Sequence, residues 1–170
     1  VLLTLDAYHA AMSGRTLAQE IHDACKEKAL GTLDVNQNRY ALDYEWETVP
    51  AYLEEVTLCM YELLRGGGFT CGGITFDAKE RTDFYEFEEV ALNHIRAMDT
   101  FALGLRSAAL LLTEGKLQTV RKKRYQSFEG DLGRSIREQT ATLESLTECT
   151  LADAPCTMLD DSQARVQQIV

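Results

Sequence analysis

Gly66-Gly67-Gly68-Phe69-Thr70-Cys71-Gly72-Gly73-Ile74-Thr75-Phe76-Asp77-Ala78-Lys79 decides how the chain is read. Upstream, Val56, Met60, Leu63 and Leu64 recur at helical spacing, and the glycine run closes that helix. An apolar strand then begins and carries Asp77 and Lys79 at its carboxyl end. In a parallel α/β barrel that end is where catalytic groups collect, because loops converge there above a rigid floor.

The stretches before it repeat the plan. Val1–Leu5 is a continuous apolar run of strand length, ending in Asp6-Ala7-Tyr8-His9. Thr16-Leu17-Ala18-Gln19 reads as a capping box, starting a helix to about Lys28 with Leu17, Ile21 and Ala24 inward. Leu30–Asn36 is a second strand ending in Asp34-Val35-Asn36, followed by a polar loop through Glu45-Trp46-Glu47 and a helix near Pro50. Strand, helix, strand, helix, strand predicts a parallel sheet. After Lys79 the pattern is helical. Phe87 to about Thr113 reads as one long or broken helical stretch stopped by Gly115, followed by helices over Lys116–Tyr125 and Leu143–Leu151. Asp153–Asp160 reads as a linker before a short amphipathic tail. Met98, Phe101, Leu103, Leu105, Leu110 and Leu111 are more apolar bulk than one small helical layer buries.

Charge and cysteines exclude several classes. A net charge of −10 over 170 residues leaves no basic stripe to neutralise phosphates, which argues against nucleic acid. The basic cluster Arg121-Lys122-Lys123-Arg124 suits a solvated helix end. Apolar runs fall short of membrane-spanning length, and no signal peptide is visible. Five cysteines, odd in number and without C-x-x-C spacing, read as free thiols of an intracellular, reducing compartment, cytoplasm or organelle matrix.

Asp6, His9, Asp34, Glu45, Glu47 and Asp77 all fall at or just beyond strand ends. Converging there, one imidazole and five carboxylates would share a small volume, and such charges remain ionised together only around a cation. Oxygen-rich ligation with one imidazole suits Mg, Mn or Co. Loop carboxylates are usually just solvated, and for Glu45 and Glu47 taken alone that is the better reading. Six groups at three successive strand ends favour a metal site or its remains. His22 and His94 lie on helical patterns and read as structural or exposed, while Trp46 reads as a packing anchor. Lys79 reads as well as an ion-pair partner that positions Asp77 as it does as a base.

The glycine stretch resembles the last barrel strand of the xylose isomerases, G-G-F-x-x-G-G-x-x-F-D-A-K. Met98-Asp99-Thr100-Phe101-Ala102-Leu103-Gly104-Leu105 resembles that family's M-D-T-F-A-L-G-L, and Arg124-Tyr125-Gln126-Ser127-Phe128 its R-Y-x-S-F. The resemblance covers nearly the whole chain and implies a partial (β/α)8 TIM barrel. Residues 1–85 would supply the last three β/α units, and 86–170 an α-helical arm that packs on a neighbouring subunit. About half of the family's fold would then lie outside the chain. Asp6 and His9 match the family's Glu-x-x-His, Asp34 the Asp of D-A-N, Glu45 and Glu47 its Asp-x-Asp, and Asp77 the Asp of F-D-A-K.

The departures are specific. Asp6 is one methylene shorter than the family's Glu, and Glu45 and Glu47 are one longer than its Asp residues. Metal sites tolerate deviations of about 0.2 Å, so divalent binding is expected to be weakened. Tyr8, Arg15 and Asn38-Arg39 stand where the family has Asn, His and Gly-Asp. The family's ring-opening His, its fifth-strand Glu ligand and its proton-handling Lys come from strands outside this chain. No catalytic residue is therefore assigned here. The expectation is a structural or assembly subunit within a homo- or hetero-oligomer, not catalytic alone. The alternative is part of a divalent-metal aldose–ketose isomerase whose first half another chain supplies.

Overall fold

The computed structural model describes residues 1–36, 52–77, 87–151 and 168–169. Three strands, β1 (Leu3–Asp6), β2 (Leu30–Val35) and β3 (Ile74–Phe76), form one parallel sheet in the order β1-β2-β3. Leu5 pairs with Leu33 and Asp6 with Asp34, while Val35 pairs with Phe76. Such parallel neighbours need helical crossovers. Those described are α1 (Ala7–Met12) and α2 (Leu17–Lys26) after β1, and α3 (Leu53–Arg65) between β2 and β3.

Local chemistry sets each boundary. Thr16 and Gln19 make the expected capping box, each side chain accepting the other's backbone N–H at the start of α2. One face of α2 buries Ile21 and Ala24, with Leu17 half-buried. Glu54 and Glu55 occupy the first turn of α3 and Arg65 its last, favourable ends for the helix dipole. Val56, Met60 and Leu63 face the core from α3. The glycine run then ends the helix as the sequence indicated. Gly67 and Gly68, both at positive φ, donate backbone N–H to Leu64 and Leu63 carbonyls that would otherwise be orphaned. Between the layers, Ile21, Leu33, Val35, Val56 and Met60 are all but excluded from water. Each contributes roughly 1.5–3 kcal/mol by leaving it.

The chain divides into two compact units, Val1–Thr113 and Glu114–Val170. In the first, α4 (Phe87–Glu114) buries Ala97, Phe101, Ala108 and Leu111, and the Phe101 ring meets Phe76 of β3 edge-on at 5.3 Å. Met98, Leu103, Leu105 and Leu110 of the same helix are exposed. Gly115, at φ 67°, marks the break to α5 (Lys116–Arg124), whose last turn holds the basic cluster. In the second unit a 3-10 turn (Gln126–Glu129), α6 (Asp131–Arg137) and α7 (Leu143–Leu151) follow. There Gly133 packs so closely on Phe128 that no side chain would fit. Arg137 reaches back to Glu129 at 3.2 Å. Among the described residues no helix is long and apolar enough to cross a membrane.

Candidate acidic site at the strand ends

The parallel register puts three aspartates at one end of the sheet. Asp6 and Asp34 are direct partners across β1 and β2. Asp77 follows β3 immediately, and its backbone N–H donates to the Val35 carbonyl at 3.1 Å. Each carboxylate sits at a strand's carboxyl end, as the alternation of apolar runs and acidic residues indicated. Glu45, Glu47, Trp46 and Lys79 lie outside the described residues.

Asp6 is held by its surroundings. Its Oδ1 accepts the His9 backbone N–H at 2.9 Å, making it the N-cap of α1. The His9 ring nitrogen Nδ1 lies 3.8 Å from Oδ2, and that ring is largely exposed. Asn36 is the residue that sequence reasoning gave no role. Buried just beyond β2, it donates to Asp6 Oδ2 at 3.5 Å and accepts the Tyr8 backbone N–H at 2.9 Å. A buried amide must find such partners, so Asn36 clamps the start of α1 onto the end of β2. Its signal was its place two residues after Asp34, at a strand end. Asp34 Oδ1 accepts the Thr75 hydroxyl at 2.8 Å, tying β2 to β3 through side chains as well as backbone.

His22, His94 and Arg15 are engaged within the fold. His22 Nδ1 and the Arg65 guanidinium both reach Glu62 Oε2 at 3.1 Å, locking α2 to α3. His94 donates to the Val90 carbonyl within its own helix at 2.8 Å. Arg15 is engaged by Asp23 and by Glu20, and these contacts, the Asp23 hydrogen bond first, hold its guanidinium above its ordinary value. Tyr8, Arg15, Asn36, Glu55, Cys59 and Phe101 border a cavity of about 320 Å³. Asp6, His9, Asp34 and Asp77 are not among its lining residues, but Asn36, which lines it, is bonded to Asp6, so the cavity adjoins the acidic strand ends.

A divalent cation needs its ligands to converge. Among the described residues, no three His, Cys, Asp or Glu side chains come together closely enough to hold one. Asp6 Oδ1 caps α1 and Asp34 Oδ1 accepts from Thr75, bonds that hold each carboxylate in place and leave it lone pairs for a cation. The described residues hold four of the six groups, Asp6, His9, Asp34 and Asp77, and no complete cation site.

No family model matches the chain. Individual relatives do match it. It is 39% identical over 150 residues to xylose isomerase of Listeria welshimeri and 40% over 149 residues to that of Enterococcus faecalis, in each case 88% of this chain and 34% of the relative. The enzyme of Lactococcus lactis matches at 36% over 161 residues, 94% of this chain and 37% of the relative. The chain is a relative of the xylose isomerases. It spans about a third of the length of the curated xylose isomerases it matches, so about two thirds of such a chain, rather than half, has no counterpart here. Its parallel sheet, helical crossovers and helical remainder correspond to part of an α/β barrel with a helical arm.

Proposed function

We propose that this chain is an assembly element of a xylose-isomerase-type barrel and is not catalytic by itself. One observation carries the reading. Strands of a closed barrel are covered on both sides, yet Leu2 and Leu3 at the β1 edge are 48% and 47% exposed. A three-stranded parallel sheet with such an edge is complete only when further strands join it. Barrel continuation would be the task of residues 1–85, and subunit packing that of the helical arm over 86–170. An intracellular, reducing compartment belongs to the same proposal, supported by free thiols at Cys25, Cys59 and Cys71.

A second reading is favoured by the register of Asp6, Asp34 and Asp77. These would contribute with His9, Glu45 and Glu47 to a divalent-metal site (Mg, Mn or Co) of an aldose–ketose isomerase once the remaining strands are present. The first reading is favoured because Asp6 is one methylene shorter than the family's Glu and, as the N-cap of α1, is held by that helix.

One experiment separates them. The purified chain is assayed for xylose and glucose isomerisation with Mn²⁺, and its mass is followed by light scattering. Self-association without turnover, and only weak Mn²⁺ binding in calorimetry, is expected. Turnover by the chain alone, or a tight Mn²⁺ site on it, overturns the assembly reading. A stable monomer does so as well.

A further inference from the structure

Two opposite faces run along α4. One buries Ala97, Phe101, Gly104 and Ala108. Followed at 100° per residue, the other passes through Ile95, Asp99, Ala102, Arg106 and Leu110, flanked by Leu92 and Leu103. All of these are exposed, with Leu92 at 56%, Ile95 at 49% and Leu110 at 64%. A solvated helix face normally carries charge along its whole length. Between Ile95 and Leu110 this one carries two charges, of opposite sign, two turns apart and centred on Ala102 and Leu103; exposed Glu88 lies on the same face, two turns before Ile95 and beyond that span. Among the described residues neither Asp99 nor Arg106 forms an ion pair.

Read from Ile95 to Leu110, the order is apolar, acidic, apolar, basic, apolar. Read backwards it is apolar, basic, apolar, acidic, apolar. The face is therefore complementary to its own reverse, which is what a two-fold interface between identical chains requires. We propose that α4 pairs antiparallel with α4 of a second copy of this chain, about an axis between Ala102 and Leu103. In that register Asp99 faces Arg106 of the second copy, and Arg106 faces its Asp99. Ile95 meets Leu110 at either end, and small Ala102 at the axis lets the helices approach to about 8 Å. A parallel pairing would set Asp99 against Asp99 and Arg106 against Arg106, so the charges select orientation as well as partner. The inference rests on the assembly reading and names its partner.

The test is charge reversal in the full chain, read by sedimentation equilibrium. Asp99→Arg and Arg106→Asp each place like charges face to face at two symmetric positions. Each should weaken dimerisation roughly tenfold, taking about 0.7 kcal/mol per pair. The double variant Asp99→Arg/Arg106→Asp restores opposition at both positions and should return to the wild-type constant. Ala102→Cys should cross-link to its own counterpart on oxidation, identified by peptide mapping. That link should be lost with Asp99→Arg and regained in the double variant. All the substituted positions are exposed, so the variants keep the core intact. A wild-type monomer overturns this pairing and the assembly reading together. A multimer of equal strength in every variant, or a double variant that does not recover, overturns the pairing alone. So does the absence of an Ala102→Cys cross-link.

Discussion

Gly104 of α4 rests directly on Val56 of α3: a Cβ at Gly104 would lie 2.7 Å from Val56 Cγ1 and 3.3 Å from the Thr57 backbone nitrogen. Val56 is 2% exposed and β-branched, so it has little room to turn away. In an isolated helix Gly→Ala favours the helix by about 1 kcal/mol, whereas overpacking a core costs about 1–3 kcal/mol. Packing wins here. Gly104→Ala is expected to lower stability by about 1 kcal/mol in chemical denaturation. Val56→Ala alone should lose about 2 kcal/mol. The two together should lose less than their sum, because the second substitution removes the atom that the first one strikes. Strict additivity would show that this contact does not limit the approach of α4.

A comparison of two glycines separates backbone strain from collision. Gly14 and Gly72 both sit at positive φ, 72° and 77°. A Cβ at Gly14 meets nothing within 4 Å, while one at Gly72 would lie 2.3 Å from the Gly31 carbonyl oxygen of β2. Both alanine variants carry the left-handed penalty of roughly 1–2 kcal/mol. Only Gly72→Ala adds a clash with backbone that cannot move without opening the sheet. Gly14→Ala should lose about 1 kcal/mol and Gly72→Ala about 3 kcal/mol or more. Equal losses would mean that the strand entry yields.

Much of this was legible in the chain because the signals were local. The glycines after Arg65, the Thr16–Gln19 box and the break at Gly115 each act within a few residues of where they stand. α1 was not foreseen. Its six residues are too few for an apolar period, and its N-cap is Asp6, a residue noticed first as a carboxylate. α6 was missed for the same reason of length, being seven residues with three charges. Burial on α4 was not legible either. Met98, Phe101, Leu103 and Leu110 are equally apolar, and only the packing of Phe101 on Phe76 distinguishes the core side. For the acidic site, the sequence gives strand-end positions through register. It is silent on Asn36 and Thr75, whose partners lie some 30 to 40 residues away.

The cysteines should differ sharply in reactivity. Burial, with the Glu55 charge adding to it, pushes the Cys59 thiol up to about 12, whereas Cys71 is exposed. Iodoacetamide near pH 8 should label Cys71 promptly and Cys59 only as fast as the fold opens. The same shift makes stability depend on pH. An unfolded thiol releases its proton near pH 8.5–9 and the folded one near 12, so between these values the unfolded state binds fewer protons. Stability should be unaffected by this group below about pH 8.5 and fall above it, by up to about 1.4 kcal/mol per pH unit. Cys59→Ala should flatten that part of a pH series of thermal melts. An unchanged slope would place the alkaline sensitivity elsewhere.

Asp6 holds two positions at once, helix cap and strand-end carboxylate, and substitutions can divide them. As the N-cap of α1 it needs only an oxygen that accepts the His9 N–H, a task asparagine performs about as well. Asp6→Asn should therefore melt within about 0.5 kcal/mol of the wild type, while Asp6→Ala should lose about 1 kcal/mol. A metal ligand, by contrast, needs the charge. In the chain assembled with whatever completes its barrel, Asp6→Asn should leave assembly intact. If the isomerase reading holds, the same variant should abolish Mn²⁺ binding and turnover. If Asp6 serves mainly as a cap, Mn²⁺ calorimetry should give the same weak isotherm for Asp6→Asn and wild type, and only Asp6→Ala should change anything, through stability. Asp6→Glu sharpens the contrast. The extra methylene carries the carboxylate past the His9 N–H, so the cap should weaken. The longer side chain is also the one the xylose isomerase pattern carries at this position, so a gain in Mn²⁺ affinity at the expense of α1 would mark Asp6 as a ligand position given over to holding the fold.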